Sequence, residues 1–251
     1  MFLFEKIRQG KLERALETYS IYDPPHRKEE RLLPVEQARE NFDYFMAHKD
    51  ARLAGFLAWF ERHFALRLKL DEAGLRALEK WGKKYAVILI SSIDPLLDDC
   101  CYYDYGSPWD GRYKCLNVIF DTGIFLGEAL IARCPMLRWE MDPILAVLPR
   151  TARLMKHDRG SGYRRPTLAC DRNPAWYGMP CYEANNYFRH MYFRTKKNTS
   201  IMAEKAITGH LSSFYINTVN TYPDFLINVH GIGKSMEEYF ASVDQESEWE
   251  T

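Results

Sequence analysis

The stretch from about Lys114 to Arg133 constrains the fold more than any other part of the chain. Its residues are mostly apolar, it contains no proline, and Gly123 and Gly127 stand four apart. That spacing puts both glycines on one face of a helix, where the missing Cβ lets another backbone approach closely. Cys134-Pro135 must end the helix, because a proline ring clashes with the preceding turn and offers no N–H. Leu137, Trp139 and Met141 then alternate with Arg138 and Glu140, which predicts a half-exposed strand ending at Asp142-Pro143.

The N-terminal third reads as helical, from Phe2 to Tyr19 and again after Pro34, with the turn Asp23-Pro24-Pro25 between. Leu53, Phe56, Leu57, Phe60 and Phe64 form one apolar stripe, on a helix that the spacing predicts over Asp50 to Phe64 with Asp50 as its cap. Leu66, Leu68 and Leu70 alternate with Arg67 and Lys69 as in a short strand, and Asp71 then caps a helix bearing Leu75, Leu78 and Trp81. Ala86 to Ile90 is either a buried strand or the end of that helix. Arg165 to Cys170 reads as a further strand, and Ala184 to Phe193, Ile201 to Thr218 and Lys234 to Ser242 as helices.

With 47% apolar residues and 14% aromatics there is ample material for a core. The expected fold is α+β: a helical N-terminal region plus a small, mostly antiparallel sheet covered by helices. We expect one domain over residues 1–251, with 1–65 as a candidate helical subdomain and 243–251 as an acidic tail.

Two strings carry a resemblance. LKLDEAGLRALEKW, Leu68 to Trp81, followed by LGEALIARCPMLRW, Leu126 to Trp139, resembles small bacterial α+β domains of unknown function. In those a helix opening near an Asp precedes a Leu-Gly-Glu helix and a Trp-bearing strand. Here a long segment rich in Asp and Tyr separates the two parts. The resemblance covers roughly a third of the chain and implies the fold and a bacterial setting, with no activity attached. Glu128 of the second string is either a functional carboxylate or an ordinary helical glutamate.

Charge is sorted along a chain whose formal total is zero. Residues Arg150 to Ser200 hold eleven Lys or Arg against three acidic residues, a local +8, with eight aromatics interleaved. Cations beside flat rings suit an acidic or phosphate-bearing partner. Two segments concentrate the signal. His157 to Pro166, HDRGSGYRRP, brings Arg159, Arg164 and Arg165 into a glycine-containing loop whose guanidinium forks could hold a phosphate or carboxylate. Tyr187 to Lys197, YFRHMYFRTKK, places Arg189, Arg194, Lys196 and Lys197 around a helix that buries Phe188, Met191 and Tyr192. His190 lies among these cations, which favour its neutral form, and a neutral imidazole can act as a general base. Acidic stretches at residues 90–111 and 223–251 flank the basic one and compete with any outside ligand for its charges.

Other motifs are incomplete. Asn228 to Ser235, NVHGIGKS, mimics a phosphate-binding loop but has Asn228 where the first glycine is required. The same string resembles the hairpin of a helix-hairpin-helix DNA-binding motif, yet Glu237 and Glu238 follow it. The aspartates at 94, 98, 99 and 104 do not have the spacing of a calcium loop. The six cysteines show no zinc spacing, and the vicinal Cys100-Cys101 pair is redox-active or simply buried. No metal or cofactor is expected.

The longest apolar runs, Ala86 to Ile90 and Phe225 to Val229, fall far short of the roughly 20 residues of a spanning helix. Charges at Glu5, Lys6 and Arg8 break any secretory core at the start of the chain. The sequence thus leads to a bacterial cytoplasmic protein, without a membrane partner, that works as a non-enzymatic macromolecular interaction protein. A protein partner comes first. The alternatives are an enzyme acting on a phosphorylated or carboxylated substrate, with His190 as its base, and a nucleic-acid-binding protein.

Overall fold

The computed structural model describes residues 2–28, 30–91, 114–141, 164–171, 173–195 and 211–220. Its helices are α1 (Phe2–Glu17), α2 (Val35–Phe64), α3 (Glu72–Ser91), α4 (Lys114–Arg133), α5 (Pro180–Thr195) and α6 (residues 211–220). A 3₁₀ turn at Glu30–Leu32 precedes α2. Three strands, β1 (Leu137–Met141), β2 (Pro166–Cys170) and β3 (Asn173–Gly178), form an antiparallel sheet in the order β1-β2-β3. The fold is α+β, with a helical N-terminal region and a small antiparallel sheet.

α4 is the centre of the molecule because almost every side of it is apolar. Fifteen of its twenty residues are buried, and it packs chiefly on α5, with α2, α3 and β1 also in contact. By length and composition this helix also suffices to cross a bilayer, a property that counting uninterrupted apolar runs missed; 83% of the relevant window is buried inside the protein. The two glycines do different jobs. A Cβ on Gly123 would come within 2.8 Å of the Cys181 backbone nitrogen, so here two backbones do meet. A Cβ on Gly127 would instead strike the Trp139 indole, 2.5 Å from its Cη2, so this glycine accommodates a side chain.

The α2 helix runs unbroken for thirty residues from Pro34. Asp50 is therefore not a cap; it lies in the helix interior, where its carboxylate accepts a hydrogen bond from Lys49 Nζ at 2.7 Å. The buried positions Ala38, Phe42, Phe45, Leu53, Phe56 and Phe60 continue the same stripe upstream. Ala65, with φ 53°, ends the helix by entering the left-handed region, and its N–H returns to the Glu61 carbonyl. Leu66 to Leu70 is a connector rather than a strand. Only Leu68 of its leucines is fully buried, and the chain turns at once into α3. There the Asp71 carboxylate accepts the Gly74 N–H at 2.8 Å, the expected cap. Ala86 to Ile90 is the end of α3.

Rings join the helices at edge-to-face angles. Trp81 of α3 meets Phe60 at 4.8 Å and Phe64 at 5.3 Å, and its neighbour Trp59 donates its indole N–H to the Ala15 carbonyl of α1 at 2.9 Å. One continuous buried cluster extends from Leu12 to Tyr215.

In the sheet, Leu137, Trp139 and Met141 face this cluster, while Arg138 and Glu140 point outward, where Arg138 also pairs with Asp171 at 2.7 Å. β3 adds a strand beyond those that the sequence predicts. A shift of register between Ala169 and Cys170 lets its first residue join the ladder.

A carboxylate of α3 helps to hold α6. Glu79 of α3 accepts hydrogen bonds from the Ser212 backbone N–H at 2.8 Å and its hydroxyl at 2.9 Å, tying the described part of α6 to α3. Glu79→Ala should cost about 2 kcal/mol, given about 1.5–3 kcal/mol for a hydrogen bond to a charged group. Hydrogen exchange should quicken in residues 211–220 while the amides of α4 keep their protection. Uniform loss of protection across both helices would contradict this local role.

Candidate functional site

The expected anion-binding residues come out differently from one another. Arg159, Lys196 and Lys197 lie outside the described residues, as do the aspartates at 94–110, the string 228–235, the vicinal cysteines at 100–101 and the tail 243–251. Arg194 is within α5, where only its backbone is described. Arg164 enters β2 with a left-handed φ of 58° and is half-buried. Arg189 and His190 are adjacent and half-buried on α5. Arg165 turns inward: it is 8% exposed and pairs with Glu30 of the 3₁₀ turn at 3.4 Å. This carboxylate partner comes from the N-terminal region; the acidic stretches expected to compete for Arg165 lie almost wholly outside the described residues.

α5 buries Tyr187 together with Phe188, Met191 and Tyr192, so these three rings serve the core. The Tyr187 hydroxyl donates to the Glu79 carbonyl at 2.7 Å, and burial, followed by the Glu79 charge, pushes its pKa up. Cys115, Cys134, Cys170 and Cys181 are buried, and the last three are free thiols. Burial, followed by the nearby Asp121 and Glu30 carboxylates, pushes the Cys181 thiol far up, leaving it protonated and unreactive at neutral pH.

The structure assembles a polar centre that the sequence did not reveal. Arg52 of α2 forms a bidentate pair with Asp121 of α4, both contacts at 2.7 Å, with side chains 8% and 2% exposed. The Tyr19 hydroxyl donates to Asp121 Oδ2 at 2.7 Å, and the Tyr22 backbone N–H donates to Asn117 Oδ1 at 2.6 Å. The chain after α1 is therefore sewn onto α4. Burial alone would lower the pKa of Arg52, but the Asp121 carboxylate more than offsets this and the net effect is a rise. Burial pushes Asp121 upward, against the pull of Arg52 and Tyr19. With three donors on its two oxygens, the charged pair is the resident state. Burial, then the Asp121 charge, raises Tyr19 well above its ordinary value.

A second inward cation repeats the arrangement. Lys49 Nζ lies 2.8 Å from Glu128 Oε1, which also accepts the Trp139 indole N–H at 2.8 Å. This gives the Leu-Gly-Glu helix and Trp-bearing strand a packing explanation: Gly127 makes room for the indole, and Glu128 satisfies its N–H. Glu128 is structural here. The legible signal for the first of these centres is Asn117 and Asp121, polar residues spaced four apart in a mostly apolar helix.

At the surface, α1 and the C-terminal half of α3 enclose a groove of about 530 Å³. Leu12, Leu16, Val87 and Ile88 form its floor. Glu5, Gln9 and Glu13 line the α1 side, and Lys83 and Lys84 the α3 side. Among the described residues there is no group of three or more His, Cys, Asp or Glu placed to hold a metal ion. Comparison with known protein families, curated proteins and solved structures finds no match to this chain.

Proposed function

We propose that the protein is a non-enzymatic interaction protein of the bacterial cytoplasm that binds another macromolecule, in the first instance a protein. The observation that carries this reading is the division of its charges. Inside the fold, Arg52–Asp121, Lys49–Glu128 and Glu30–Arg165 hold one segment to another. Lys80, Lys83 and Lys84 instead stand exposed along α3, and none of them has an ion pair among the described residues. They line a helix whose apolar neighbours Val87 and Ile88 are only partly covered. Cations bordering apolar surface suit a protein contact. The buried free thiols of Cys134, Cys170 and Cys181 among the described residues fit a reducing compartment.

The test is affinity isolation of the tagged chain after mild cross-linking in the bacterium that makes it, beside the triple variant Lys80→Glu/Lys83→Glu/Lys84→Glu. We expect a protein recovered in near-equal amount with the native chain and much less with the variant. Two other results would replace this reading. Thermal stabilisation of the pure protein by phosphorylated or carboxylated metabolites, followed by turnover, would favour an enzyme using Arg164, Arg189 and His190. Salt-sensitive binding of single- or double-stranded oligonucleotides would favour a nucleic-acid-binding protein.

A further inference from the structure

We infer that the groove between α1 and α3 seats one amphipathic helix of a partner protein, apolar along one stripe, acidic on the flank facing α3 and basic on the flank facing α1. This rests on the interaction reading above and adds the occupant and its chemistry. The groove is electrically two-sided. The α3 side carries Lys83 and Lys84; the α1 side carries Glu5 and Glu13, with Gln9 donating to Glu13 at 2.9 Å. The one cation of α1 in the groove, Arg8, directs its Nε back to the Phe4 carbonyl of its own helix at 3.3 Å.

Walls of opposite sign select among ligands. A phosphate backbone would meet Glu5 and Glu13 on one side, and a simple fatty anion would leave those carboxylates unanswered. A helix with acidic and basic flanks answers both. Size agrees: Glu5 to Glu13 spans about 12 Å at 1.5 Å per residue, close to the reach of helix positions i, i+4 and i+7. A groove of about 530 Å³ has room for the few large apolar side chains that such a stripe presents.

Fluorescence anisotropy with three labelled 18-residue peptides tests this. All share one leucine stripe; the first has Glu on one flank and Lys on the other, the second Lys on both flanks, the third Glu on both. The mixed peptide should bind the full-length protein tightest. Lys83→Glu/Lys84→Glu should weaken it at least tenfold while tightening the all-Lys peptide, an exchange that loss of folding cannot mimic because both lysines are exposed. Ile88→Glu should abolish binding of all three. No saturable binding of the mixed peptide, or binding indifferent to the lysine reversal, overturns the assignment. So does displacement of the mixed peptide by laurate, or a dimer in sedimentation that Ile88→Glu dissociates. If the native chain recovers a protein from cells and Ile88→Glu leaves that recovery intact, the interaction reading stands and only the groove is wrong.

Discussion

Asp121→Ala should destabilise the protein by about 3–5 kcal/mol, the usual cost of leaving a buried charge without its partner. The substitution strands the Arg52 guanidinium, 8% exposed, and removes the acceptor of the Tyr19 hydroxyl. Arg52→Met should cost a comparable amount, for the opposite reason: a carboxylate 2% exposed keeps only the Tyr19 hydroxyl. An apolar replacement of both, Arg52→Met with Asp121→Leu, needs no charge desolvated and should be less destabilised than either single variant. Urea denaturation of the four proteins gives the coupling directly, and we expect at least about 2 kcal/mol. Additive losses would mean that the pair contributes no more than two independent side chains.

The pair also shows why sequence reading reached the helices and not the centre. Helices follow from local spacing, and the limits of α4 could be read from apolar content and Pro135 alone. β1 followed from alternation over five residues, and the start of α3 from Asp71. The full length of α2 was obscured by Lys49 and Arg52, which occupy core-facing positions and interrupt the apolar stripe. Their inward direction makes sense only once Glu128 and Asp121 of another helix are opposite them. Likewise Arg165 is cationic in any local reading, and its engagement by Glu30 depends on a contact between residues 135 positions apart. Alternation at Leu66 to Leu70 suggested a strand that does not form, and no second strand among the described residues lies beside it. The groove was hidden for a related reason: its two charged walls belong to helices remote in sequence, each unremarkable by itself.

Gly123→Ala should destabilise the protein by about 3 kcal/mol, at the upper end of the cost of overpacking. The sign is informative, since in an unconstrained helix the same change would stabilise by about 1 kcal/mol. The added methyl meets the Cα and backbone nitrogen of Cys181, so α4 and α5 must move apart along the most extensive helix contact among the described residues. Adding Cys181→Ala should not restore stability, because removing Sγ leaves both backbone atoms in place. Gly127→Ala is the contrasting case. Its methyl meets the Trp139 indole alone among its nearest neighbours, and Trp139→Leu removes the obstructing ring. That double variant should be clearly more stable than the sum of its single losses predicts, whereas the Gly123/Cys181 double should be no better than additive. Thermal and urea denaturation of both sets decide the matter. Rescue at Gly123 by Cys181→Ala would mean that the helices meet through a side chain there, and that the backbone contact assigned to this glycine is wrong.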